Sequence, residues 1–483
     1  MGVGPGALED YWKIFYAYDN LMGGCIWEWA DHAVYHEDGS YKYTYGGDHG
    51  ERKHDNNFCV DGLMYPDRTP HTGALQMRNV YRPIRARHTR ANSFAFLNTN
   101  RFRSSGYITI KWSVLKNGVV IKGGELNPDI APKTERVFRL DLPKINQDYE
   151  YHINFDYYVD DEKIAGEQIA LNEVYTKFMR KNCTDISISD EGTKLVVQFS
   201  NGKAEFDFET GDFINYEFNG KKLFNSSPVG PRTFMPNIFR AMTDNDAPVI
   251  GKKWVASGYD KYVCKLQDVK YSLEYNEVEV ETTFILMNGN KKLFEVEIEY
   301  TIKGNGTVKV KAEIEPCRFF VEDDLARFGV MLELPHEFEN IEYFGLGEYE
   351  NLPDYKAQSR VGIYSTTVDA MHEPYIYPQD NGNRGETRWM KITDADGNGI
   401  LFCNSKGNFS FSAHHYTQKL LNDAKHQEDL HDEGTTVVSI DGYIRGAGTA
   451  SCGEDALKPY RFSAKNGLKF RFSILPITED SAE

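Results

Sequence analysis

Nine consecutive residues, Phe294-Glu-Val-Glu-Ile-Glu-Tyr-Thr-Ile302, place apolar side chains at even positions and charged or polar ones at odd positions. Successive side chains of an extended chain point to opposite faces, so this period of two can bury one side of the segment only as a strand. Such a strand keeps one face in a core and the other in water. After the turn signal Lys303-Gly-Asn-Gly306 the pattern resumes at Val308, Val310, Ala312 and Ile314. Similar segments recur from about Tyr81 onward: Tyr107–Leu115, followed by the hairpin signal Lys116-Asn-Gly118, then Arg136–Leu142, Tyr149–Tyr157 and Lys469–Leu475. Thirty Tyr and 29 Phe add to the strand bias. Tyr416–His426 is the best helix candidate in the last ~300 residues. So many amphipathic strands call for stacked sheets. The stretch from about Tyr81, roughly 95 residues, has the size of one β-sandwich, with a boundary near Lys177–Lys181. A larger sandwich follows it.

The first ~80 residues have a different texture. Leu8, Trp12, Phe15, Tyr16 and Leu21 approximate helical spacing across Ala7–Met22, and Gly23-Gly24 breaks the pattern. A short apolar run, Cys25–Ala30, comes next, then a loop rich in Gly, Asp and His. A second short strand, Phe58–Met64, leads into the Pro-punctuated segment Tyr65–His71. Two strands with one or two helices cannot close a parallel barrel, but they resemble the end of one.

The length of 483 residues accommodates two to four domains. A formal charge of −17 argues against a nucleic-acid binder and against docking on an anionic membrane surface. No segment approaches the ~18 apolar residues of a membrane-spanning helix, and Met1-Gly-Val-Gly-Pro-Gly lacks the pattern of a signal peptide. Seven scattered Cys without a CxxC pair imply reduced thiols, hence a cytoplasmic protein.

Trp27-Glu-Trp-Ala-Asp-His32 is the first chemical cluster. Aromatics beside carboxylates at the end of a barrel strand suit a sugar, whose apolar face lies on a ring while carboxylates take hydroxyls. The plain alternative is core packing for one Trp and a surface position for Glu28. A retaining glycosidase needs two carboxylates about 5–5.5 Å apart; Glu28 and Asp31 are nominal candidates. The loop Tyr45–Asn57 carries Asp48, His49, Glu51 and His54, which are metal-ligand types without a ligand spacing, so an exposed polar loop is expected. Arg240–Asp246 and Pro378–Arg384 are dense in turn formers. His414-His415 is expected to be exposed or at a strand edge.

Several phrases resemble the large β-galactosidases of glycoside hydrolase family 2: Gly23-Gly-Cys-Ile-Trp-Glu-Trp-Ala-Asp31, Phe58-Cys-Val-Asp-Gly-Leu63 with Pro66–His71, Phe239–Asp246, Phe344–Asn351, Tyr377–Arg384 and Gly446–Gly453. They stand in family order along nearly the whole chain. The resemblance implies a mainly β fold with three parts. Residues 1–82 would be the C-terminal portion of a (β/α)8 TIM barrel, 83–180 an immunoglobulin-like β-sandwich, and 181–483 the large C-terminal β-supersandwich. It implies part of a retaining β-galactosidase acting on terminal non-reducing β-D-galactosides such as lactose. The nucleophilic Glu is expected a few residues upstream of Met1. The acid/base Glu and the magnesium ligands are expected further upstream, so the chain alone is expected to be inactive.

Binding positions carry over one at a time. Trp27 matches an apolar wall for the galactosyl group. Phe58 matches a residue whose carbonyl binds sodium and whose ring moves with ligand, and Asp61 matches a sodium-ligating side chain, commonly Asn. Cys452 falls near a position where some members stack a Trp on the departing sugar, and a thiol offers no such platform. Asn381 and Arg384 acquire no chemical role, so turn geometry is expected. The implied partners are a galactoside, a missing N-terminal half or large subunit, and further copies of the chain. The alternative reading is a non-catalytic carbohydrate-binding or scaffold module. In either case a barrel remnant should expose apolar edges and be poorly ordered or self-associate when uncovered.

Overall fold

The computed structural model describes residues 6–175, 178, 185–224, 233–318, 322 and 324–478. Strands dominate, as the alternation requires. Residues 84–172 form two antiparallel sheets. One pairs Ile84–Arg90, Ser93–Asn98 and Glu135–Arg139; the other runs in the order Val119–Leu126, Thr109–Lys116, Tyr151–Val159, Glu162–Asn172. Their inward faces meet around Phe94, Phe96, Ile110, Ile153 and Phe155. The hairpin signal is read correctly: Lys116 pairs with Val119, and the two turn residues Asn117 (φ 47°) and Gly118 (φ 81°) are both left-handed. That is the turn whose twist suits a two-residue hairpin. The boundary expected near Lys177–Lys181 lies almost entirely outside the described residues.

Among the described residues, those from Ile186 onward build three more sheets, two of five strands and one of nine. The strand Lys291–Lys303 lies inside the nine-stranded sheet between Glu277–Asn288 and Val308–Pro316. Phe294, Val296, Ile298, Tyr300 and Ile302 are buried, while Glu295 is exposed and Glu297 and Glu299 are half-buried. Leu195 and Phe213 from one sheet, Val330 and Ile440 from another, and Val296 and Phe402 from the largest share one continuous core. The helix expected over Tyr416–His426 is shorter, Gln418–Asp423; it starts after Thr417, whose Oγ1 caps it by accepting from Leu420 N at 3.2 Å, and Ala424 is already extended.

The N-terminal part keeps only the outline that its pattern predicts. Its first helix is Leu8–Ala17 rather than Ala7–Met22. Asp19 and Asn20, which favour turns over helix, follow at once, and residues 17–20 are exposed. The runs Cys25–Ala30 and Phe58–Met64 do lie side by side in parallel. Glu28 N donates to Asp61 O (3.0 Å), Leu63 N donates to Glu28 O (2.9 Å), and Ala30 bridges Met64. Neither becomes a full strand, in keeping with how little an isolated pair can support itself. Phe58 instead sits in a 3-10 turn, Asn56–Cys59.

These parts are joined by polar contacts. Asn79 Nδ2, on the helix Thr72–Val80, donates to Ala357 O at 2.8 Å, and Ala7 N donates to Asp354 O at 2.8 Å. Gln168 of the first sandwich exchanges two 2.8 Å hydrogen bonds with the backbone of Val361.

Candidate functional site

The segment Cys25–Ala30 ends with Trp27 77 % and Trp29 60 % exposed. Neither ring packs in a core, so the plain reading of the aromatic cluster fails for both. Glu28, between them, is half-buried, and its Oε1 lies 3.2 Å from His32 Nε2. Asp31 has both carboxylate oxygens engaged. It is buried, with Oδ1 accepting from Gly62 N at 2.8 Å and Oδ2 lying 2.8 Å from the buried His71 Nε2. Its carboxylate ties the two barrel segments to the start of the following helix.

Phe58 is 49 % exposed beside these residues. His32 N donates to Cys59 O, which closes the parallel contact just behind Phe58. Asp61 Oδ1 is buried without a hydrogen-bond partner. An orphaned carboxylate oxygen costs free energy unless something satisfies it. A cation is one solution, and Asp61 is one of the two donors that the resemblance implies.

Two turns of the large domain complete the rim. Asn57 Nδ2 donates to Asp244 Oδ1 at 2.8 Å, next to Phe58. The neighbouring Asn245 holds the loop of Cys452: its Oδ1 accepts from Ser451 Oγ (2.8 Å) and its Nδ2 donates to Gly448 O (3.0 Å). Cys452 itself is exposed. Trp27 and Phe58 thus stand next to residues in backbone contact, Glu28 with Asp61 and His32 with Cys59, and the loop of Cys452 is tied through Asn245 to the turn that holds Asn57. The turn Arg240–Asp246 is more than a turn. Fully buried Arg240 donates from Nε and Nη2 to the two oxygens of Asp246 (2.9 and 2.8 Å) and to the carbonyls of Arg445 and Gly446. This ion pair supports both loops from beneath.

A second polar group, invisible to local spacing, welds the N-terminal part to the large domain. Tyr65 Oη donates to Glu373 Oε1 at 2.6 Å, Tyr375 Oη to Glu350, Thr72 Oγ1 to Glu350 Oε1 at 3.2 Å, and Gly382 N to Glu350 Oε2 at 2.9 Å. Burial pushes both carboxyls up. Burial together with the charge of Glu350 takes Glu373 to about 7. The positive charge of Arg384 opposes both shifts, and its guanidinium donates to Tyr343 Oη and Gly382 O. Asn381 serves the turn, accepting from Glu373 N and donating to Gln379 O. Turn geometry was expected for both residues; for Arg384 it omits the compensation of buried charge.

The loop Tyr45–Asn57 is exposed from Asp48 to Asn56, as expected, and Asp48 Oδ2 fastens it to His426 Nε2 at 2.9 Å. A cleft of about 560 Å³ opens here, lined by Tyr41, Tyr45, His54, Asn57, Tyr377 and His426. His414-His415 is neither exposed nor at a sheet edge. The strand Phe409–His414 lies between two others, His415 is buried, and burial pushes His414 down to about 3. The pair caps a strand that enters the core, which a two-residue motif does not reveal.

Residues 198–474 match the family described as beta galactosidase small chain, residues 1–86 the TIM barrel domain of glycosyl hydrolases family 2, and residues 94–168 domain 4 of β-galactosidase. The chain is 32 % identical to a β-galactosidase of Actinobacillus pleuropneumoniae, over 98 % of its own length and 47 % of the relative's. It is 29 % identical to one of Staphylococcus xylosus, over 98 % and 48 % respectively. The chain thus spans about half the length of these curated relatives.

Proposed function

Since the chain belongs to the β-galactosidase small-chain family of glycoside hydrolases, we propose that it supplies one wall of a β-galactoside site and the domain that supports it. The observation that supports this reading is that Trp27 and Phe58 are exposed beside the Glu28–Asp61 and His32–Cys59 contacts, while the adjacent residues Asp244 and Asn245 hold Asn57 and the loop of Cys452. Trp27 would receive the apolar face of the galactosyl group. Asp61 and the Phe58 carbonyl would hold a sodium ion, which would satisfy the orphaned Asp61 oxygen. Cys452 would border the acceptor sugar without stacking on it.

The two carboxylates of a retaining hydrolase come, in this proposal, from outside these residues, as do the magnesium ligands. The state of Asp31, buried and spoken for on both oxygens, supports that assignment. The chain would then be inactive alone and complete an active site with an N-terminal half, on the same polypeptide or a separate subunit. Hydrolysis of a chromogenic β-galactoside tests this, with the chain alone and mixed with the N-terminal half of a relative. Turnover is expected only in the mixture. Substantial turnover by the chain alone would sink the proposal and redirect attention to Glu28.

The aromatic cleft at Tyr41, Tyr45 and Tyr377 favours a second reading, a carbohydrate-binding module. Titrating galactose or lactose into the isolated chain by calorimetry separates the two, because only a self-sufficient module gives binding heat at millimolar sugar.

A further inference from the structure

Five titratable side chains from four segments meet at one end of the large domain. His336 follows the strand Arg327–Pro335, and Glu339 precedes the strand Asn340–Gly347. Asp369 lies on the short helix Val368–Met371, His415 follows the strand Phe409–His414, and Asp432 precedes the strand Thr435–Ile444. The ligand atoms of Glu339, Asp369 and His415 all lie within 4.8 Å of one another, as do those of His336, His415 and Asp432. Among the described residues, no Lys or Arg forms an ion pair with any of the three carboxylates; their ion-pair partners are the two imidazoles.

The surroundings of His415 sharpen this. Its Nδ1 lies 3.3 Å from Thr435 O and 3.2 Å from Thr436 Oγ1, and that hydroxyl donates its own proton to His336 O at 3.3 Å. Nδ1 therefore faces acceptors and carries a proton. Its Nε2 faces Glu339 Oε2 at 2.6 Å, with Asp369 Oδ1 4.0 Å away. A neutral imidazole donates from one nitrogen only, so a lone pair would point at a carboxylate unless a second proton or a cation lies between them. A backbone-anchored Nδ1–H that aims Nε2 outward is the usual support of a metal-binding histidine.

We propose that this cluster is a site for a divalent transition-metal cation of the zinc class, bound by His415 Nε2, Glu339 and Asp369, with the His336–Asp432 pair at its edge. Imidazole nitrogen and carboxylate oxygen together suit zinc, at about 2.0–2.2 Å from each ligand atom. Glu339 and Asp369 are 31 % and 84 % exposed, so their side chains can close by the distance this requires. The cation would bind three loops and a helix together at one end of two sheets.

The test uses the untagged full chain, stripped with chelator and titrated with zinc by calorimetry and with cobalt by visible absorption. One ion per chain is expected, with a cobalt spectrum free of thiolate charge transfer, and zinc should raise the unfolding midpoint. Glu339→Gln and Asp369→Asn should each weaken zinc at least about tenfold while leaving the metal-free midpoint near the parent's. Asp432→Asn should cost less. No binding, a thiolate spectrum, or affinity unchanged in both carboxylate variants would overturn the site and leave protonated ion pairs. A large loss in His336→Ala with none in Glu339→Gln would overturn this ligand set.

Discussion

Trp27 and Arg240 show how differently two motif residues can act. Trp27 is 77 % exposed, so its ring contributes little to folding and is free for a ligand. Trp27→Ala should leave the unfolding midpoint unchanged while lowering kcat/KM of the assembled enzyme on a β-galactoside by about tenfold or more, the scale of a lost apolar contact. Chromogenic kinetics of the mixed halves checks it, and unchanged kcat/KM would remove Trp27 from the site. Arg240 is the opposite case, fully buried with its guanidinium satisfied by Asp246 and two carbonyls. Arg240→Ala strands a buried carboxylate and should destabilise the large domain by about 3–5 kcal/mol, measured by urea unfolding. The sequence exposed both residues through their phrases. Only the burial of one and the exposure of the other assigns the roles.

Between elements, the Glu350–Glu373 group makes docking of the N-terminal part sensitive to pH. Glu373 is raised to about 7 by burial and by the charge of Glu350. Its neutral form is the one the folded contact favours, so the stabilisation is complete below the ordinary carboxylate range. It is lost as pH rises through about 7. Thermal midpoints of the parent should therefore fall between about pH 5 and about pH 8 more steeply than those of Glu373→Gln, which keeps the hydrogen bond from Tyr65 without the charge. Parallel slopes would show that Glu373 does not govern the contact. The strands were legible in the alternation of Phe294–Ile302 and in the Asn117-Gly118 turn, because side-chain period and turn chemistry are local. The first helix ended five residues before its pattern did, at Ala17 rather than Met22, because the turn formers Asp19 and Asn20 follow it in exposed positions.

Across the whole molecule, exposed apolar side chains are concentrated in the N-terminal part: Tyr18, Met22, Trp27, Trp29, Val34 and Tyr35 are all more than half exposed. Apolar surface of this kind marks an interaction face or an association hazard. Sedimentation of the isolated chain should show concentration-dependent association, and brief proteolysis should cut within residues 18–60 before either sandwich. An N-terminal half should suppress both effects. A clean monomer that resists cleavage there would contradict this. By itself the sequence determined the strand-rich class, the order of the family phrases and the aromatic character of the rim, since each is written in residues adjacent along the chain. Only the tertiary structure decided that Asp31 is locked to His71, that Arg384 offsets the buried carboxyl of Glu350, and that Glu339, Asp369 and His415 meet. Desolvation and Coulomb energy depend on separation in space, and these partners lie tens of residues apart in sequence.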